Sequence, residues 1–291
     1  MTNNKINSLK NYLVLSKLKI MIPVSLTGFT GYFLYNPVVD QKIILTSIGI
    51  LLIAISASVL NQIQEVKTDK RMERTSDRPI PAGKISRKKA FFFFLLNFLA
   101  GMAVLYLFGN LKAVIIAFLT VIWYNGVYTY LKRVTAFAVV PGAITGALTP
   151  LIGWVAAGGG EFDRIIIFVE FLLFTGQIPH FWLLVMKYGE QYRKAGLPSL
   201  TGIFSISQVT RLAFSWVFFS VVAALFLCYF EIIRNSYITW ILIIASVILI
   251  WQFSDLLKKH AKPGGKRKYS VLLNAYFLLI LLLLIADRII S

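Results

Sequence analysis

Only 14% of the 291 residues are charged while 58% are hydrophobic, so the charges are too few and too clustered to coat a soluble globule of this length. A net charge of +18 would point to nucleic acid in a soluble protein. In a chain this apolar, the Lys and Arg excess belongs in loops that face anionic lipid, and no nucleic-acid partner is expected. A single cysteine, Cys228, lies in an apolar run and leaves no internal disulfide.

The first 19 residues are rich in Lys and Asn, and the apolar segment after them lacks a small-residue cleavage site, against both a transit peptide and a cleaved signal. Apolar segments follow at 20–35, 43–60, 90–108, 113–130, 136–157, 165–186, 212–230, 237–257 and 269–286. They approach the roughly 20 helical residues that cross about 30 Å of hydrocarbon. None alternates with period two, and lipid demands a backbone satisfied internally, so strands are excluded. The first segment is short and broken by Gly28 and Gly31. If the N-terminus and every second connection share one face, that face holds 25 of the 30 Lys and Arg. The other face keeps only Lys42, Lys112, Arg164, Arg234 and Arg288. This split predicts a cytoplasmic N-terminus. The expected fold is an all-α integral membrane protein of about nine transmembrane helices, one domain over 1–291.

Two basic connections, 61–89 and 187–208, are long and peculiar, and a third, 258–268 with Pro263, Gly264 and Gly265, reads as an ordinary basic loop. In the first, Asn61, Glu65 and Asp69 are spaced by four, which on a helix advances only about 40° per step and forms one stripe of oxygen donors. Two carboxylates with an amide suit Mg²⁺, which keeps its waters and binds through substrate phosphates. Arg71, Arg74 and Arg78 follow, and guanidinium forks match phosphate oxygens. Two readings stand from spacing alone: a magnesium diphosphate site, or a solvated loop whose acids pair with neighbouring bases. Tyr128, Lys132 and Arg133 close the fourth apolar segment, where membrane anchoring also explains the charges. His180, after Pro179 in the sixth segment, is either a functional group or a hydrogen-bonded support for a proline kink. Gly142 and Gly146 read as a close helix contact.

Asn61, Glu65 and Asp69, followed by Arg74, Thr75, Arg78, Pro79, Pro81 and Gly83, resemble the first signature of the intramembrane aromatic prenyltransferases. Three segments are similar to the protoheme IX farnesyltransferase (heme O synthase) family: Asp69 to Pro79, Leu131 to Thr135 with Pro150 to Trp154, and Pro179 to Trp182 with Tyr192 to Pro198. Gln191 stands where that family commonly has Asp, which leaves Glu190 as the acid near the second signature. The resemblance implies helices around a central cavity opening at the cytoplasmic face, with catalytic loops at 61–89 and 187–208. It implies Mg²⁺ as cofactor, farnesyl diphosphate and heme B as substrates, and a multi-pass protein of a bacterial inner (plasma) membrane. Heme A synthase or terminal oxidase assembly would receive the product. On this reading Asn61, Glu65 and Asp69 hold the metal, while Arg74, Arg78, Lys132 and Arg133 neutralise the departing pyrophosphate. Tyr128 and Tyr188 face the allylic cation, and His180, Lys187 and Glu190 complete substrate binding. Two other activities remain open: prenyl transfer to an aromatic acid or quinone precursor, and transport of an anionic solute.

Overall fold

A computed structural model describes residues 2–257 and 266–290, so the basic loop expected at 258–268 falls almost wholly outside the described residues. All regular elements among them are helical. In chain order they are α1 (Thr2–Ser16), α2 (Leu18–Tyr35), α3 (Gln41–Gln64), α4 (Arg87–Phe108), α5 (Leu111–Leu131), α6 (Ala136–Ala156), α7 (Arg164–Lys194), α8 (Ile206–Tyr229), α9 (Ser236–Leu257) and α10 (Lys266–Ile290). Eight described helices are long and apolar enough to cross a membrane, and the count rises to nine if Leu9–Ser16 and α2, bent by 48° against each other, are taken as one span. Short polar residues fix several starts: Asp40, Ser86, Asn110, Ser205 and Asn235 each accept a first-turn backbone N–H.

The first span does not break at its glycines. It bends at Lys17, whose backbone is left-handed at φ 47°. Gly28 and Gly31 instead bring α2 against α3 and α6: a Cβ on Gly28 would meet Ile50, and one on Gly31 the carbonyl of Pro150. Gly153 presses in the same way on the Gly28 carbonyl, so three glycines make one close helix contact. The region expected as a loop from 187 also differs, because α7 continues as helix through Lys194.

α6 lies centrally, packed against α2, α5 and α7, while α10 closes the far side on α2, α7 and α9. Large apolar side chains cover the outer faces, including Phe92, Leu96 and Leu99 of α4 and Trp240, Val247 and Trp251 of α9. Lipid is the solvent these faces match, since every helix already satisfies its own backbone. The molecule is a multi-pass membrane protein.

Candidate active site

The polar layer gathers at one edge of the bundle, where α3 ends. α3 gives way at Glu65 to a short helical turn, Val66–Asp69, but the four-residue bonds continue: Glu65 N–H donates to the Asn61 carbonyl at 3.0 Å and Asp69 N–H to the Glu65 carbonyl at 2.8 Å. The stripe predicted from spacing therefore survives the junction. Asn61, Glu65 and Asp69 are 3%, 7% and 3% exposed, far too buried for a solvated loop.

Each carboxylate has its own cation. Arg78 donates to Asp69 Oδ2 at 2.8 Å, and Lys132 forms an ion pair with Glu65 Oε1. Asn61 Nδ2 donates to Thr129 Oγ1 at 2.9 Å, so the third member of the stripe is tied to α5. Thr75 Oγ1 donates to the Asp69 carbonyl at 2.9 Å, folding the chain back to bring Arg78 beside Asp69.

α5 supplies the opposite wall through a π-helical stretch, Trp123–Tyr128. The wider turn lets Thr129 Oγ1 donate to the Tyr124 carbonyl at 2.9 Å while accepting from Asn61. It also turns Asn125 inward, where Nδ2 donates to the Ala57 carbonyl at 3.0 Å and to Gln64 Oε1 at 3.2 Å. The Tyr124 and Tyr128 rings stack with centroids 5.5 Å apart, and Lys132 Nζ lies 5.4 Å from the Tyr128 centroid. Arg133 is exposed and donates to the Gln64 carbonyl at 2.9 Å, closing the rim from outside.

The two sequence-distant loops meet here. Met72 packs with Ala195, Leu197 and Tyr192, and Gln191 Oε1 accepts from Arg74 N–H at 3.3 Å while its Nε2 donates to Glu73 at 3.4 Å. The Tyr188 ring carries two cations, Arg74 and Lys187, each 5.0 Å from its centroid. Gln191 is thus a strap between the loops. Glu190 is exposed and pairs with Lys194 at 3.7 Å, away from the two buried carboxylates. His180 lies a further three turns into α7, hydrogen-bonded to Asn274 of α10 and with Nδ1 unpartnered. The structure therefore brings together Asn61, Glu65, Asp69, Arg78, Tyr128 and Lys132, sets Arg74, Arg133, Lys187 and Tyr188 at the rim, and leaves His180 and Glu190 outside this cluster.

Sequence reasoning missed Lys17. Its ammonium sits in the combined field of Arg78, Asp69, Glu65 and Lys132, placed there by the bend between α1 and α2. Nothing in the run around it marks that bend. Asn125 was also missed, though an amide inside an apolar span is itself a signal.

The model of the UbiA prenyltransferase family matches residues 24–284. A protoheme IX farnesyltransferase of Oleidesulfovibrio alaskensis is 30% identical over 92% of this chain and 93% of its own length. Relatives of the same name from Nitratidesulfovibrio vulgaris and Legionella pneumophila are 38% identical over 64% of each chain, and 36% over 70% of this chain and 69% of theirs. Among solved structures, a digeranylgeranylglyceryl phosphate synthase superposes with a TM-score of 0.76 at 21% identity, covering 98% of this chain and 99% of that one. A UbiA homolog from Archaeoglobus fulgidus bound to GPP and Mg²⁺ gives 0.72 at 17% identity, covering 96% and 98%. This chain belongs to the UbiA prenyltransferase family and is a membrane prenyltransferase.

Proposed function

We propose that the enzyme transfers a farnesyl group from farnesyl diphosphate to a vinyl group of heme B, giving heme O. The observation that carries this reading is the pair of buried carboxylates, Glu65 and Asp69, held by the half-buried Lys132 and Arg78 at one edge of an apolar bundle. That layer suits a substrate with a diphosphate head and a hydrocarbon tail. The acceptor is favoured by the curated relatives, which are named protoheme IX farnesyltransferase.

The donor set fits a magnesium ion. Asn61, Glu65 and Asp69 are buried oxygen donors on successive turns, while no group of three or more His, Cys, Asp or Glu gathers among the described residues. Two carboxylates and an amide suit a hard cation that completes its shell with water and phosphate oxygens, and a UbiA homolog was solved with GPP and Mg²⁺. When bound, Mg²⁺ would supply positive charge for the departing pyrophosphate.

The chain's own residues then divide the work. Lys132 and Arg78 are held in place by Glu65 and Asp69 and offer cationic donors to the diphosphate, with Lys17 as a third. As the allylic C–O bond breaks, the pyrophosphate leaves with the electron pair. The stacked Tyr124 and Tyr128 rings present π-density that stabilises the allylic cation. The vinyl π-electrons of the heme form the new C–C bond. Water adds to the cation this leaves on the vinyl group, and loss of a proton gives the hydroxyl. Lys187, Arg74 and Tyr188, strapped by Gln191, form the rim through which the head group enters. On this reading the edge faces the cytoplasm of a bacterial inner membrane, which the excess of Lys and Arg on that side supports, and heme A synthase or terminal oxidase assembly receives the product.

Asp69→Ala tests the assignment. It should abolish magnesium-dependent prenyl transfer while the purified protein still elutes as a folded species in detergent. Asp69→Asn, which keeps a partner for Arg78, should also be inactive. Wild-type turnover in both variants would remove the metal and diphosphate site from this stripe.

A further inference from the structure

The edge opposite the carboxylate layer carries five basic residues, and two of them converge on one cavity. An open cavity of about 420 Å³ is lined by Leu34, Tyr35, Trp154, Asp163, Arg164, Ile165 and Arg288, at the ends of α2, α6, α7 and α10. We propose that this cavity is an anion site that seats the phosphate of an anionic phospholipid headgroup.

The charges at this edge are used differently. Lys112 is paired with Glu161 at 2.8 Å, and Arg234 donates through Nε to the Glu231 carbonyl at 3.3 Å. Arg164 and Arg288 have no ion pair among the described residues, and Arg288 Nε is buried without a partner. The carboxylates nearby are already engaged. Asp163 Oδ2 accepts from Gly160 N–H at 3.0 Å and Trp154 Nε1 at 3.3 Å. Asp287, beside Arg288, accepts through Oδ1 from the backbone N–H groups of Arg234 at 3.0 Å and Asn235 at 2.8 Å. Both arginines line the cavity and neither is held in an ion pair among the described residues, so guanidinium donors remain for phosphate oxygens.

Two further features fit a headgroup. Asp163, the N-cap residue of α7, makes no side-chain cap bond, so first-turn N–H groups beside Arg164 and Ile165 add donors. Tyr35 and Trp154, both lining the cavity, pack edge-to-face with centroids 5.2 Å apart, and Trp and Tyr are the residues enriched where headgroups meet acyl chains. Basic pockets between helix ends are a recurrent way to hold anionic lipid.

The test is thermal unfolding of the full chain in a neutral maltoside detergent. Wild type and Arg164→Gln/Arg288→Gln are compared with added phosphatidylglycerol, phosphatidylcholine or inorganic phosphate at constant ionic strength. Wild type should gain several degrees in Tm, saturably, with phosphatidylglycerol, and the double variant should lose that gain. Lys112→Gln, on the same edge but outside the cavity, should keep it. An equal, arginine-dependent gain with inorganic phosphate would overturn the lipid and leave a free-phosphate site. A phosphatidylglycerol gain that survives in the double variant, or no gain in wild type, would overturn the site altogether. Should the double variant not fold, native mass spectrometry of Arg164→Gln gives a second reading. One anionic lipid retained by wild type and lost in that single variant supports the site, and equal retention rejects it.

Discussion

Tyr128 shows how a single residue is aimed. A Cβ on Gly142 would fall 2.6 Å from two ring carbons of Tyr128, so the absence of a side chain on α6 sets where the ring lies. The ring in turn backs Lys132. Gly142→Ala should displace that ring, lowering kcat at least several-fold and costing about 1–3 kcal/mol of stability through overpacking. Gly202→Ala is the control, because nothing lies within 4 Å of its added methyl. Turnover and Tm of the two variants decide the matter, and wild-type kcat in Gly142→Ala would sink the idea that Tyr128 must be held. The sequence shows Gly142 and Gly146 as a helix contact. That Gly142 meets Tyr128 is a tertiary fact, since the two are brought together only by the turn between α5 and α6.

Among the elements, the first span carries the most information beyond its hydrophobicity. A left-handed Lys17 costs roughly 1–2 kcal/mol relative to a residue without Cβ, and the bend it makes delivers the ammonium to the carboxylate layer. Lys17→Gly should relieve the strain and raise Tm, while raising KM for the prenyl diphosphate. Lys17→Ala should share the raised KM without the gain in stability. Initial-rate kinetics and thermal unfolding separate the two effects, and an unchanged KM in both variants would exclude Lys17 from the site. Apolar length and charge made nearly every span legible, and the spacing of Asn61, Glu65 and Asp69 made the stripe legible because the bonds from Glu65 to Asn61 and from Asp69 to Glu65 keep the four-residue step, although α3 itself ends at Gln64. The bend was not legible. Gly28 and Gly31 are the residues a chain would use to break, yet here they serve close packing, and a lysine without local warning takes the left-handed conformation. The extension of α7 to Lys194 was hidden for a related reason: its last turns are polar because they meet the first loop through Gln191 and Tyr192, not because helix ends there.

At the scale of the molecule, two charged edges enclose an apolar bundle and differ in kind. At one edge cations face buried carboxylates and aromatic rings, an arrangement that chemistry on a diphosphate can use. At the other, two arginines line a cavity without ion pairs among the described residues, an arrangement that suits an anion held at rest. The segregation also separates this chain from a carrier of anionic solutes, which would place polar groups in broken helices at mid-membrane. The measurement that bears most directly on the central claim is a reconstituted reaction of the purified enzyme with farnesyl diphosphate, Mg²⁺ and heme B, read by chromatography and mass. A heme gaining one farnesyl group and one water should form only with the metal present, and should be lost in Asp69→Ala. Pyrophosphate release with no heme product, together with prenylation of 4-hydroxybenzoate or a quinone precursor, would contradict it.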